Sequence, residues 1–325
     1  MQKLNADLKN NNLLPAYLLH GQEDFLLKYF KKEFIKKFDD EFGMNLSIFN
    51  DDNFTIDDAV DRITTNPFFA DKKLIVFDNI NIFDKDIDEK FINAINLGMN
   101  ANVILFIMNA DLKIKKNNLY KLIQEIGYIL NIDYQTEENL IKYILKKIKP
   151  YNKQIDKKTA SYLIAKVGTD LYTISNELDK IISYTYDSDV IDKKHIDAIA
   201  TTNVNNNIWD LINAINNNNT KQVVDLYSKL ISLNETSESI FNSIRFNYKR
   251  LMNIKDLVDK NKTLNEIIEK ENLKLPRFVV SKIIDIARNT DNNFLYKKIS
   301  NISKYTKLYK TGDIDNNLAV ELLLV

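Results

Sequence analysis

The chain has 325 residues, enough for two or three domains of roughly 100 to 150 residues each. Hydrophobic residues make up 45% and charged residues 28%. That balance excludes a mainly disordered chain, and no apolar run approaches the roughly 20 residues of a membrane-spanning helix. Lys plus Arg and Asp plus Glu both number 45, there is no cysteine, and His20 and His195 are the two histidines. Bulk charge therefore gives no pull toward nucleic acid, and disulfides, thiolate metal sites and imidazole-rich metal centres are ruled out. No basic segment followed by a long apolar one opens the chain, so a cytoplasmic protein with no membrane attachment is expected.

Short apolar runs recur through the first 135 residues, at Ala16 to Leu19, Leu46 to Phe49, Leu74 to Phe77, Val103 to Met108 and Tyr128 to Ile132. Helical patterns lie between them. The clearest is Glu23 to Phe38, where Phe25, Leu26, Tyr29, Phe30, Phe34 and Phe38 recur on one face. Runs that are apolar throughout predict strands covered on both faces, hence a mainly parallel β-sheet with right-handed crossovers. After Thr136 the strand signals stop and helix follows helix, consistent with only 6 Gly and 4 Pro. Pro150 separates a helix at Glu137 to Lys149 from one starting near Asp156 and ending at Gly168. Thr169 or Asp170 caps a helix reaching Tyr184, and Asp192 caps another. The polar stretch Thr201 to Asn207 marks a boundary. Seven helices are predicted beyond it: Ile208 to Ile215, Lys221 to Leu233, Ser237 to Leu257, Leu264 to Glu271, Pro276 to Ala287, Phe294 to Tyr309 and Asn316 to Leu324. No fixed-period repeat links them.

The turn after the first strand decides between an ATPase and a non-enzyme. It reads Gly21-Gln22-Glu23-Asp24-Phe25-Leu26-Leu27-Lys28. A phosphate-binding loop needs a second Gly, then Lys and Ser or Thr, so that bare N–H groups and one ammonium cradle the phosphates. None is present, and Glu23 and Asp24 place negative charge where the phosphates would lie, a charge that suits the helix dipole without any ligand. The glycines, at positions 21, 43, 98, 127, 168 and 312, are too scattered for any Gly-rich nucleotide motif. Leu74-Ile75-Val76-Phe77-Asp78-Asn79 resembles a Walker B segment with Asn in place of its second acid. With no triphosphate site beside it, Asp78 reads as a strand-ending turn residue. No arginine occurs between Arg62 and Arg245, which leaves no arginine finger in this region. His20 and His195 lack the sequence context of a nucleophile triad. No cofactor is expected.

The most informative segment is Asn66-Pro67-Phe68-Phe69-Ala70-Asp71, between a helix containing Ile56, Val60 and Ile63 and the third strand. Pro67 fixes the backbone, and the adjacent aromatics are expected to point in different directions. Two readings stand: the rings cover the sheet edge, or they form a plug for a partner's pocket. Basic clusters at Lys113, Lys115 and Lys116, at Lys142, Lys146, Lys147 and Lys149, and at Lys297, Lys298, Lys304, Lys307 and Lys310 read as solvated helix faces. They suit nonspecific contact with a nucleic-acid backbone at most.

Five segments, in order, resemble the delta subunit of the bacterial DNA polymerase III clamp loader. Ala16-Tyr17-Leu18-Leu19-His20-Gly21-Gln22-Glu23 is similar to that family's opening, which replaces the P-loop. Pro67-Phe68-Phe69 with Lys72-Lys73-Leu74-Ile75-Val76 resembles its clamp-binding element and third strand, with Phe68 where many relatives carry Leu. Gly168-Thr169-Asp170-Leu171 with Asn176-Glu177-Leu178-Asp179-Lys180 is similar to its lid motif. Ile208-Trp209-Asp210-Leu211 with Ala214 matches the start of its third domain, Trp209 standing at a usual Phe. Lys310-Thr311-Gly312 through Leu318-Ala319-Val320-Glu321-Leu322-Leu323 resembles its C-terminal motif.

The resemblance implies a RecA-like α/β domain of the AAA+ type without a P-loop (1–135), a small helical lid (136–204) and a helical collar for oligomerisation (205–325). It further implies a subunit with no catalytic site of its own, in which Pro67, Phe68 and Phe69 bind the sliding clamp and favour its open form. Gly21, Gln22, Glu23, Asp24 and Asp78 would mark a degenerate nucleotide site. The implied partners are the beta clamp, ATPase subunits of the gamma or tau type, delta-prime, and primed DNA held by its backbone. Two other classes are weighed against it. An ATP-hydrolysing loader of the same fold is opposed by Gly21 to Lys28, and a helical scaffold unrelated to replication is separable by clamp binding.

Overall fold

The computed structural model describes residues 1–324 apart from 39–42, 85, 110–115, 202–203, 274 and 276. The chain divides into two compact units, Met1–Tyr134 and Gln135–Val325.

The first unit runs α1 (Gln2–Asn10), β1 (Ala16–Gly21), α2 (Asp24–Phe38), β2 (Leu46–Phe49), α3 (Ile56–Thr64), β3 (Lys73–Asp78), α4 (Glu89–Gly98), β4 (Asn102–Asn109), α5 (Asn118–Ile126) and β5 (Gly127–Asn131). The five strands form one sheet in the order β2-β3-β4-β1-β5, and every pairing is parallel. The central strands β1, β3 and β4 are buried nearly throughout, which is why they read as unbroken apolar runs. Their side chains split between two cores. Leu18, Ile75, Phe77, Ile104 and Phe106 enter one, packed against α3, α4 and α5. Tyr17, Leu19, Leu74, Val76 and Leu105 enter the other, against α1 and α2. The sequence pattern passed over α1, although Leu4 and Leu8 stand one turn apart and both are buried.

The second unit begins with α6 (Glu137–Ile148), a 3₁₀ turn at Lys149–Tyr151, α7 (Lys157–Val167), α8 (Leu171–Tyr184) and α9 (Lys193–Ile199). Asp156, Asp170 and Asp192 are the N-caps, each accepting a backbone N–H three residues on, and Gly168 ends α7 at φ 93°. Glu177, buried in α8, accepts the N–H of Thr201 just beyond α9 and pairs with Lys180 at 2.7 Å. The Asn-Glu-Leu motif thus has a local structural task.

Then follow α10 (Val204–Asn216), α11 (Thr220–Ser232), α12 (Ser237–Asp259), α13 (Leu264–Lys270), α14 (Arg277–Asn289), α15 (Asn292–Thr311) and α16 (Asn316–Leu324). One hydrophobic cluster, centred on Leu211, Ile244, Tyr248, Leu251, Ile254 and Val280, is drawn from these seven helices together with Leu273, between α13 and α14. Helix α10 starts four residues before its apolar stripe, inside the stretch expected to be a boundary. Helix propensity differs too little among ordinary residues to mark such an edge. Of that boundary stretch, residues 202 and 203 lie outside the described residues, as do Pro276, Lys113 and Lys115.

Candidate functional site

The segment 65–72 joins α3 to β3 at one end of the first unit, and three buried polar side chains hold it and the end of α3. Lys73, at the start of β3, is 5% exposed, and its ammonium donates to the carbonyls of Arg62 and Thr65 where α3 ends. Burial lowers its pKa from the usual Lys value, with a further push from Arg62. Asn102, fully buried on the neighbouring strand, donates to Ile63 O at 2.9 Å and Gly98 O at 2.8 Å. Asn45, just before β2, grips the middle of the loop. Its Oδ1 accepts from Phe68 N–H at 2.8 Å, its Nδ2 donates to Phe68 O at 2.9 Å, and its own carbonyl accepts from Leu74 N–H at 2.8 Å. Phe68 is therefore tied to the sheet through both backbone polar groups, as a strand partner would tie it.

With its backbone held, the loop presents its aromatics outward. Phe68 is 47% exposed and Phe69 95%. The rings do not diverge as expected. They meet edge to face with centroids 4.5 Å apart, because Phe69 adopts a left-handed backbone (φ 49°) that turns the chain back. A bulky residue in that region costs energy, and such conformations persist where the surroundings impose them. Neither ring enters either sheet core. An exposed aromatic pair next to a backbone held at Phe68 has the chemical attributes of a binding anchor: large apolar area, and less freedom left to lose.

The residues that mark a nucleotide site in related folds gather at the carboxyl ends of β1 and β3, the ordinary ligand position of open α/β sheets. Here that position is filled by the chain itself. Beyond β5, Ile132 donates to His20 O at 2.6 Å and accepts from Glu23 N–H at 3.0 Å. The Asp24 N–H turns to Gln22 O at 3.2 Å. Two amides at the start of α2, where a phosphate cradle would be, are thus committed to backbone carbonyls. Glu23 is buried and Asp24 pairs with Lys28 at 2.7 Å. Asp78 meets Lys31 of α2 at 2.5 Å, an ion pair in the place where a Walker B acid would face a metal. His20, between these elements, has its pKa lowered by burial, partly opposed by Asp133. Among the described residues no group of three His, Asp or Glu side chains is placed to hold a metal ion, and no helix is long and apolar enough to cross a membrane.

The basic clusters are not uniform solvated faces. Lys147 is held between Ser175 and Asp179. Lys298 is buried, with a lowered pKa for that reason, and donates to Leu323 O at 3.3 Å. Sequence spacing could not separate these from exposed lysines, since their partners lie 25 or more positions away. The Asn45 grip on Phe68 was missed on the same ground.

A parallel β2-β3-β4-β1-β5 sheet with helices on both faces and an exposed aromatic loop between α3 and β3 defines a RecA-like α/β module of the AAA+ type. The model of the "DNA polymerase III, delta subunit" family matches residues 17–133, and that of the "DNA polymerase III delta subunit, C-terminal domain" matches residues 205–325. The chain belongs to the DNA polymerase III delta-subunit family. It is 22% identical to the DNA polymerase III subunit delta of Bacillus subtilis over 328 residues, covering 98% of this chain and 94% of that one. It is 20% identical to the probable DNA polymerase III subunit delta of Aquifex aeolicus, over 90% and 86% of the two chains. The solved structure of the Bacillus subtilis DNA clamp loader delta protein superposes with a TM-score of 0.79 at 21% identity, covering 99% of this chain and 98% of that one.

Proposed function

We propose that this chain is the clamp-gripping subunit of a DNA polymerase III clamp loader and carries no catalytic step of its own. Pro67, Phe68 and Phe69 insert into a hydrophobic pocket of the ring-shaped beta clamp and favour the open ring, so that it can be placed around primed DNA. ATP is turned over by neighbouring subunits of the gamma or tau type, and the chain joins them and delta-prime in a hetero-pentamer. Residues 1–135 hold the clamp, 136–204 form a lid, and 205–325 form the collar through which the subunits assemble. Contact with DNA is to its backbone and nonspecific.

The observation that carries this reading is the aromatic pair: two exposed rings on a backbone fixed by Asn45 and Lys73. Family membership supplies the assembly. The committed amides of Glu23 and Asp24, together with the Lys31–Asp78 pair, support the absence of an ATP site. Clamp binding by the purified full-length chain is the deciding experiment: saturable binding that is lost on changing the loop is expected, and no binding at any accessible concentration would refute the reading.

Two further results are expected. Titration with ATP and magnesium should give no saturable signal in the micromolar range, because the Glu23 and Asp24 amides are bonded to backbone carbonyls and the Lys31 ammonium at the strand ends is paired with Asp78; a 1:1 calorimetric isotherm would contradict this. Residues 205–325 expressed alone should fold, since their hydrophobic cluster draws on no other part of the chain, and should still co-elute with the ATPase subunits. A folded fragment that fails to associate, with association mapping to residues 1–204, would remove the collar assignment.

A further inference from the structure

Helices α12 and α15 pack against one another and leave between them a groove of about 700 Å³. Its floor is aliphatic, formed by Met252, Ile299 and Ile302. Its rim carries Arg245 and Lys249 from α12 and Lys307 and Lys310 from α15. All four rim residues are exposed. Arg245 and Lys249 stand one turn apart, as do Lys307 and Lys310, so each helix turns a like-charged pair to the same side, an arrangement that is unfavourable in isolation. Neighbouring cations behave differently. Lys255 pairs with Asp259 and Lys260 with Asp256, and Arg250 lies over the Phe246 ring. No carboxylate among the described residues pairs with any of the four rim cations. In a chain whose charges balance overall, an apolar trough edged by four cations in no ion pair is a local feature complementary to an anionic, partly apolar occupant.

We propose that this groove binds a short acidic peptide segment of a partner protein, with an apolar side chain on the Met252–Ile299–Ile302 floor and carboxylates against Arg245, Lys249, Lys307 and Lys310. A thioether beside two branched aliphatics accepts side chains of varied shape, and the cations confer both register and a fast, salt-dependent encounter. A nucleic-acid strand fits less well. Bases need aromatic faces for stacking, and the lining of this groove has none. Phosphates need a continuous cationic track, whereas the adjoining notch, which shares Arg245 and Lys310 with the groove, holds Glu238, which accepts from the Tyr309 hydroxyl at 3.0 Å. That carboxylate ends the positive field and limits the occupant to a short stretch. The inference is independent of how the first unit binds the clamp.

The test uses the full-length chain and a short fluorescein-labelled peptide in which aspartates flank a Leu-Ile pair, followed by anisotropy. Saturable binding is expected. It should weaken at least tenfold, roughly 1.4 kcal/mol, for Arg245→Glu/Lys249→Glu and for Lys307→Glu/Lys310→Glu, with unchanged circular dichroism since all four residues are exposed. A peptide with Ser-Ser in place of Leu-Ile should lose a comparable factor, and added salt should weaken the parent peptide. No binding by the parent peptide, or equal binding by the charge-reversed chains, overturns the proposal. So does tighter binding of a labelled oligothymidylate that both double variants abolish, since the groove would then be a nucleic-acid site.

Discussion

Phe68→Ala combined with Phe69→Ala is expected to abolish measurable binding to the sliding clamp while leaving the melting temperature of the chain within about 2 °C of wild type. Truncating a fully desolvated interface aromatic costs about 2 kcal/mol or more, near thirtyfold in affinity, whereas a rim residue costs little. Losing both rings removes the whole aromatic anchor and carries a micromolar complex out of the measurable range. Stability responds differently. At 95% exposure Phe69 contributes no core packing, and Phe68 at 47% contributes a fraction, so the substitutions resemble surface changes worth about 0.5 kcal/mol or less. Had the pair been core residues, each would have cost roughly 3 to 5 kcal/mol. The single variants should be coupled. The rings touch edge to face at 4.5 Å, a contact worth about 1 kcal/mol, and removing either ring deprives the other of its support, so the affinity losses will not add. Clamp affinity and thermal melts for both singles and the pair settle the matter. A double variant that melts as wild type and still binds the clamp at full strength would remove the loop from the interface, and a large drop in melting temperature would mean that the rings are structural.

How much of this was legible in the sequence depends on how far apart the interacting residues are. The strands were readable within two residues at each end because β1, β3 and β4 are covered on both faces, and burial on both faces leaves continuous apolar runs. The caps at Asp156, Asp170 and Asp192 were readable because the residue and the N–H it accepts lie three positions apart. Phe68 and Phe69 stood out because two aromatics behind a proline fit no helix or strand period. Their mounting did not. Asn45 sits 23 positions from Phe68, and nothing in the local pattern of either residue announces the other. Likewise the missing P-loop residues spoke against nucleotide from sequence alone, but the bonds that Ile132 makes to His20 and Glu23 at the end of β1 come from the β1–β5 pairing of segments more than 100 positions apart.

That crossing gives the second large effect. Gly21→Ala is expected to destabilise the first unit by about 3 kcal/mol or more, lowering its melting temperature by roughly 10 °C. Two costs combine. Gly21 has φ 143°, a region L-residues rarely occupy. A Cβ there would also stand 2.3 Å from Ile132 O and 2.5 Å from Ile132 C, atoms of backbone rather than of a flexible side chain. Ile132 cannot retreat cheaply, since its N–H bonds His20 O and its carbonyl holds Glu23 N–H, so relief of the clash would break the last rung of β1–β5 and uncap the start of α2. Gly312→Ala is the control. Its φ is 81°, but a Cβ there has nothing within 4 Å, so only the backbone cost of a left-handed L-residue, about 1 to 2 kcal/mol, remains. Denaturant melts of both variants discriminate. If Gly21→Ala loses no more stability than Gly312→Ala, the close approach of Ile132 is not what holds this corner together. If it loses the larger amount and still shows no ATP binding, the contact that closes the strand-end crevice is also the one that secures the edge of the sheet, and loosening it does not recover a nucleotide site because Glu23 and Asp24 remain where phosphates would have to lie.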